Sequence, residues 1–332
     1  MKKILLVWYM EEDNFGDTLL ADTSHNILKE NNFCIEYHEV GDSYKNIIQH
    51  ANNCDFLLFA GGGIIERYIP DIIRNFGKVY SLLEVPYGVI GLSIGGFIYD
   101  AYETQLGKWV DNSAFFFSRD NYTADILNRY AILKKVICSN DCVFLNSRIE
   151  RNNIPIEEKI GINIRNMPYE DITGALNVDS IKRIYEEKNA MLIMDSSKEL
   201  LRIDNSEKTC KSYMEYLEKN KIEKAEQIIE QVADCKYIIA MRYHVILVAA
   251  TMGIPTIPIA YCPKVERLSQ NLGLKNLIVY PNRMDELEGK IIDIQKNDEK
   301  YREIMCFNVK KAKMAVQEMY KNVIDIIKKE IG

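Results

Sequence analysis

The chain has 332 residues, 47% hydrophobic and 27% charged, an ordinary globular composition and enough apolar material for two cores. Its formal net charge is −6 and it carries no Lys/Arg block of the kind that tracks a phosphate backbone, which argues against nucleic acid as a partner. No segment approaches the ~18 uninterrupted apolar residues that a membrane helix needs.

The opening MKKILLVWYM turns acidic at Glu11 with no small-residue cleavage site behind it, so it reads as a buried first strand in a cytoplasmic protein. From there short apolar runs alternate with amphipathic stretches, the pattern of parallel strands joined by helices. Strands are predicted at Ile4–Tyr9, Cys34–Glu39, Asp55–Ala60, Val85–Ile90, Ala114–Phe117 and Lys135–Ile137. Helices fall between them at Asp17–Asn31, Tyr44–Asn52, Tyr68–Ser81, Gln105–Asp111 and Asn121–Tyr130. The polar stretch Asn146–Lys159 has the composition of a linker. A second block follows, with strands at Lys159–Ile164, Ala190–Met194, Tyr237–Met241, Thr256–Ala260 and Leu277–Val279. Its helices are expected near Asp179–Lys188, Ser212–Lys219, Lys224–Ala233, Val245–Met252 and Lys264–Asn271, then Asp285–Gln295 and Glu299–Lys329. The fold class is α/β: two doubly wound, Rossmann-like domains whose strand ends open onto a shared cleft.

Functional residues should therefore follow strands. Asn14-Phe15-Gly16-Asp17 comes after the first, with Gly16 for a tight turn and Asn14 or Asp17 as a helix cap. Gly61-Gly62-Gly63 comes after the third and can let a backbone approach a ligand or form an anion nest. The triplet lacks both dinucleotide-binding spacing and a Walker lysine. Gly91-Leu92-Ser93-Ile94-Gly95-Gly96 is similar, a tight turn or a ligand contact. Arg165, in Ile162-Asn163-Ile164-Arg165, offers a planar fork for carboxylate or phosphate at a strand end. Arg119 sits comparably, but the adjacent Asp120 supplies a plain structural partner.

The strongest signal is Met241-Arg242-Tyr243-His244. A buried strand precedes it, and the apolar helix after it is closed by Gly253 and Pro255. Arg242 and His244 thus occupy a helix N-terminus, where free N–H groups and the dipole favour an anion. In Tyr261-Cys262-Pro263-Lys264, Lys264 opens a helix and adds a second charge. His25, His38 and His50 read as structural. The eight cysteines are scattered; the nearest pair, Cys138 and Cys142, has no Cys or His close by, so they read as buried thiols in a reducing compartment with no metal site. No Ser/His/Asp triad is spaced for catalysis. The cleft offers cationic and backbone donors, an anionic donor site.

Taken in order and spacing, these motifs resemble the polysaccharide pyruvyl transferase family from Asn14–Asp17 through Ser118-Arg119-Asp120 and Arg242–His244 to Lys264. The resemblance implies a glycosyltransferase-B-like fold: residues 1–150 on the acceptor side, 157–300 on the donor side, and a helix at 301–332 returning to the first domain. It implies transfer of pyruvate from phosphoenolpyruvate onto two hydroxyls of one sugar, making a ketal and releasing phosphate, with no cofactor beyond that co-substrate. By the same carry-over Arg165, Arg242, Tyr243, His244 and Lys264 bind the donor, and His244 is a candidate for proton transfer. Asn14, Gly16, Asp17, Gly61, Gly62, Gly63 and Glu66 face the acceptor, a sugar or lipid-linked glycan through which the protein could associate peripherally with a membrane. Asp17 and Glu66 are candidates for the base by position alone. The competing reading on the same architecture is a nucleotide-sugar-dependent glycosyltransferase.

Overall fold

The computed structural model describes residues 1–9, 14–65, 69–94, 100–149, 159–164, 183–184, 190–193 and 222–332. Arg165, Glu66, Gly95, Gly96 and the helix expected at Ser212–Lys219 lie outside them, as does most of the one at Asp179–Lys188.

Six strands form the first sheet: β1 (Lys3–Trp8), β2 (Cys34–Glu39), β3 (Phe56–Gly62), β4 (Tyr87–Leu92), β5 (Phe116–Ser118) and β6 (Ile137–Cys138). Every pairing is parallel, in the order β2-β1-β3-β4-β5-β6. All residues of β3 and β4 are buried, because a parallel sheet is covered by helices on both faces. Those helices include α1 (Phe15–Glu30), α2 (Tyr44–Ala51), α5 (Glu103–Asp111) and α6 (Asn121–Tyr130), and three of the four starts carry a side-chain cap. Asn14, Ser43 and Asp120 each accept a first-turn N–H and so cap α1, α2 and α6. The single helix predicted at Tyr68–Ser81 is instead two one-turn pieces, α3 (Asp71–Arg74) and α4 (Phe76–Val79). Asn75 breaks it by leaving helical geometry (φ −98°, ψ 18°).

The second sheet contains β7 (Lys159–Asn163), β8 (Ala190–Leu192), β9 (Cys235–Ala240) and β10 (Thr256–Pro258), again parallel, in the order β10-β9-β7-β8. Helices α7 (Ile222–Ala233), α8 (Tyr243–Thr251), α9 (Pro263–Asn271) and α10 (Leu287–Lys296) accompany it. The strand expected at Leu277–Val279 is a 3-10 turn, Lys275–Leu277, followed by a single bridge from Val279 to Ile259. A second 3-10 segment, Pro281–Glu286, delays the start of α10 past the expected Asp285.

Each sheet runs outward from its first strand, then crosses back to continue on the other side, so the order in which strands are added reverses between β1 and β3 and again between β7 and β9. Such a switch point leaves a crevice at the strand C-termini, which is where open α/β sheets bind ligands. The 34-residue helix α11 (Asp298–Ile331) ties the halves together. Near its start, Arg302 donates to the carbonyls of Gly253 (2.7 Å) and Lys236 (3.1 Å) beside the second sheet. Further on, the Tyr320 hydroxyl bonds Ser24 of α1 at 3.0 Å, and Lys2 reaches the carbonyl of Ile331 at 2.6 Å. Asn146 and Ile149, at the head of the stretch expected to link the halves, are themselves buried. The Asn146 amide donates to Asp22 of α1 at 2.9 Å, and Arg148 pairs with both Asp22 and Glu226 of α7.

Candidate active site

The residues that follow β1 and those that follow β9 meet. Asn14 accepts from the Gly16 N–H at 3.1 Å and donates to Asp17 Oδ2 at 2.6 Å, folding the loop after β1 into the start of α1. Across the gap, Arg242 Nη2 donates to Asn14 Oδ1 at 3.2 Å. Arg242 is itself buried and stands at the N-cap of α8, where its own side chain makes no capping hydrogen bond. Its backbone is fixed by Asn163, the last residue of β7: Asn163 Oδ1 accepts the Arg242 N–H at 3.1 Å while its amide donates to the Ile193 carbonyl at 2.9 Å. One fully buried asparagine thus stitches the ends of three strands and holds the arginine in place.

The imidazole of His244 packs directly against Gly16, and a Cβ at Gly16 would overlap the ring. Its Nε2 lies 3.6 Å from Asp141 Oδ2, an ion-pair distance, and makes no hydrogen bond among the described residues. Asp141 is fully buried and also faces Arg119 Nη1 at 3.3 Å. Burial would raise its carboxyl, but pairing with His244 and Arg119 outweighs that and holds it below the usual carboxylate range. The Arg119 guanidinium lies 4.2 Å over the ring of Tyr243, and that ring stands edge-on to His244. The pairing expected between Arg119 and Asp120 is not the one formed. Asp120 instead caps α6 through the Thr123 N–H at 2.8 Å, accepts from Ser93 at 3.0 Å and sits 3.8 Å from Arg267.

Asp17 collects the field of all this. Burial pushes its carboxyl above the usual range, against the pull of His244, Lys264, Arg242 and Arg119. Lys264 reaches it from the first turn of α9, where Pro263 opens the helix. Gly62, at the end of β3 with φ +75°, brings its Cα up to the Asp17 carboxylate; a Cβ there would stand 3.3 Å from Oδ1. Gly61, with φ +67°, approaches the backbone of β4 at Gly91 instead. A raised folded-state pKa means that ionising Asp17 favours the unfolded chain. Its contribution is harmless below the ordinary carboxylate pKa of about 3.9 and becomes a growing cost as pH climbs from there to the raised value. Asp17→Asn is therefore expected to match the native protein in denaturation midpoint at pH 4 and to exceed it at pH 7.

The expected residues Asn14, Gly16, Asp17, Gly62, Arg242, His244 and Lys264 thus come together, with Tyr243 behind them carrying Arg119. Asp141 and Asn163 were missed as functional positions. Asp141 follows a two-residue strand, and its only local mark is the left-handed Asn140 (φ 74°) before it.

The fold has solved counterparts. A UDP-GlcNAc 2-epimerase from Neisseria meningitidis, bound to UDP-GlcNAc, superposes with TM-score 0.57 at 10% identity, over 97% of this chain and 100% of that one. A UGT transferase from Siraitia grosvenorii in complex with UDP gives 0.54 at 9% identity, over 98% and 100%. A functionally uncharacterized protein from Klebsiella pneumoniae gives 0.51 at 16% identity, over 84% and 92%. At these identities the likeness is one of fold: two Rossmann-like domains in the glycosyltransferase-B arrangement. No curated protein matches the chain. Residues 14–263, which span the loop after β1, both switch points and the start of α9, match the family model for polysaccharide pyruvyl transferase, and the chain belongs to that family.

Proposed function

We propose that the protein transfers pyruvate from phosphoenolpyruvate onto two hydroxyls of one sugar in a glycan or glycan precursor. The carrying observation is the convergence of Arg242, His244 and Lys264 from the second sheet on Asp17 and Asn14 of the first. A small donor with a phosphate and a carboxylate matches the two fixed charges of Arg242 and Lys264 beside the N-terminus of α8.

The chemistry follows from the donor. A proton added to the methylene carbon of phosphoenolpyruvate leaves the adjacent carbon electrophilic. One sugar hydroxyl attacks it and gives up its proton; the second hydroxyl then displaces phosphate and closes the ketal. Two hydroxyl protons are released, one is consumed at the methyl group, and the other departs with phosphate. His244, oriented by Asp141, is suited to deliver the first proton. Asp17, with its carboxyl raised by burial, is suited to accept one from the sugar. Arg242 and Lys264 offset charge building on the leaving phosphate. The reading requires no cofactor, and it places the acceptor against the Asn14–Asp17 loop and Gly62.

The test is incubation with phosphoenolpyruvate and a panel of glycans, with phosphate release and the mass of the product measured together. Phosphate release coupled to a gain of one pyruvyl ketal supports the reading. The nucleotide-sugar reading predicts the opposite pattern: thermal stabilisation by UDP or GDP sugars and none by phosphoenolpyruvate. Arg242→Ala is expected to lower kcat/KM for phosphoenolpyruvate by about 30- to 4,000-fold, the 2–5 kcal/mol range for removing a buried, hydrogen-bonded charge. Arg242→Lys should recover little of it, because a point charge cannot reproduce the planar fork.

A further inference from the structure

A second polar cluster lies toward the opposite end of the strands from the cleft, where Lys3 opens β1 and Cys54 precedes β3. Glu36 and His38 stand two residues apart on β2 and so share a face. His50 comes from the last turn of α2, and Cys54 is buried in the turn beyond it. Glu36 Oε2 lies 2.9 Å from His50 Nε2 and 3.9 Å from Cys54 Sγ; one donor atom from each of the three residues falls within 4.8 Å of the others. Behind His50, its Nδ1 is 3.0 Å from His38 Nδ1, and His38 Nε2 is 2.9 Å from Asp42 Oδ2. Lys3 Nζ holds the other Glu36 oxygen at 2.9 Å.

With an ion on His50 Nε2, the His50 Nδ1–H can donate to His38 Nδ1 and the His38 Nε2–H to Asp42, along the contacts of 3.0 and 2.9 Å already present. That is the hydrogen-bonded support a metal-bound histidine ordinarily has.

We propose that Glu36, His50 and Cys54 bind one zinc ion, with His38 and Asp42 as the supporting chain and water completing the tetrahedron. The Cys54 proton passes to solvent, so thiolate and carboxylate meet the ion's two charges. Zinc–ligand lengths of about 2.0–2.3 Å separate ligand atoms by roughly 3.3–3.6 Å, within about an ångström of the present spacings. Thiolate beside imidazole selects zinc over calcium or magnesium. The order Glu36, His50, Cys54 matches no Cys/His spacing pattern; strand pairing and the return of α2 bring the residues together.

The test is chelator-stripped protein titrated with zinc chloride against a chromophoric competitor. One tight equivalent per chain is expected. Cys54→Ser should lose it, and His38→Ala, which touches no metal, should weaken it about 10- to 100-fold. Cobalt(II) should give the native protein a thiolate-to-metal charge-transfer band that Cys54→Ser lacks. Thermal melts of each variant in chelator confirm that the loss is read on folded protein. Native protein with no tight equivalent or no such band, or a Cys54→Ser variant that keeps either, overturns the proposal.

Discussion

Asp141→Ala is expected to lose about 3–5 kcal/mol of folding stability, the typical cost of stripping one partner from a buried ion pair. The carboxylate is fully buried, and it is shared between Arg119, whose side chain is 2% exposed, and His244. Its removal takes from the Arg119 guanidinium and the His244 imidazole the carboxylate they share. Asp141 also accepts the Val143 N–H at 2.9 Å, so the short helical turn after β6 loses its cap as well. Guanidinium denaturation of the variant should show the loss as a lower midpoint at unchanged slope. A change under 1 kcal/mol would show that Arg119 and His244 find other partners. The pH dependence carries the same signature. Because pairing depresses the Asp141 carboxyl, its stabilisation is present above the ordinary carboxylate pKa of about 3.9 and is lost as pH falls below it. Asp141→Asn should flatten that acid limb.

Under the proposed mechanism, Gly16→Ala should do the reverse, sparing the helix and removing the activity. The position lies in the first turn of α1, and alanine there is favoured over glycine by ~1 kcal/mol on helix propensity alone. Yet the added methyl group falls on the His244 ring, so the imidazole must leave its place beside Asp141. A displacement of about 1 Å in a positioned catalytic group costs on the order of 10²-fold. The expected result is a fall of that size or more in kcat/KM for phosphoenolpyruvate turnover, with the helical circular dichroism retained. A pH–rate profile that keeps its native shape in this variant would argue that His244 does not carry the proton.

Much of this fold was legible because parallel strands buried on both faces are nearly continuous apolar runs, as at Phe56–Ala60 and Tyr237–Ala240. The helix starts expected at Asp17, Tyr44 and Asn121 fall within two residues of the observed ones, which Asn14, Ser43 and Asp120 cap. What the sequence hid was pairing at long range. Asp120 looked like the partner of Arg119 because it is adjacent, but a carboxylate next in the chain is committed to capping α6, and the true partner is 22 residues on. Gly16 could be read as a turn residue; that it makes room for a ring 228 positions away could not. Asn163 stood beside the more conspicuous Arg165, and only the register of β7 against β9 shows that it positions Arg242. The helix predicted at Tyr68–Ser81 failed for a local reason, since Pro70 and Asn75 punctuate an otherwise helical apolar pattern.

The long helix α11 has a mechanical consequence. At 1.5 Å per residue its 34 residues extend about 50 Å, anchored by Arg302 near one end and by Tyr320 and the Ile331 carbonyl toward the other. Such a strut resists stretching far more than bending. A separation of the two sheets along the helix would have to break these anchors, whereas a widening of the cleft by rotation about the helix would first part Arg242 from Asn14.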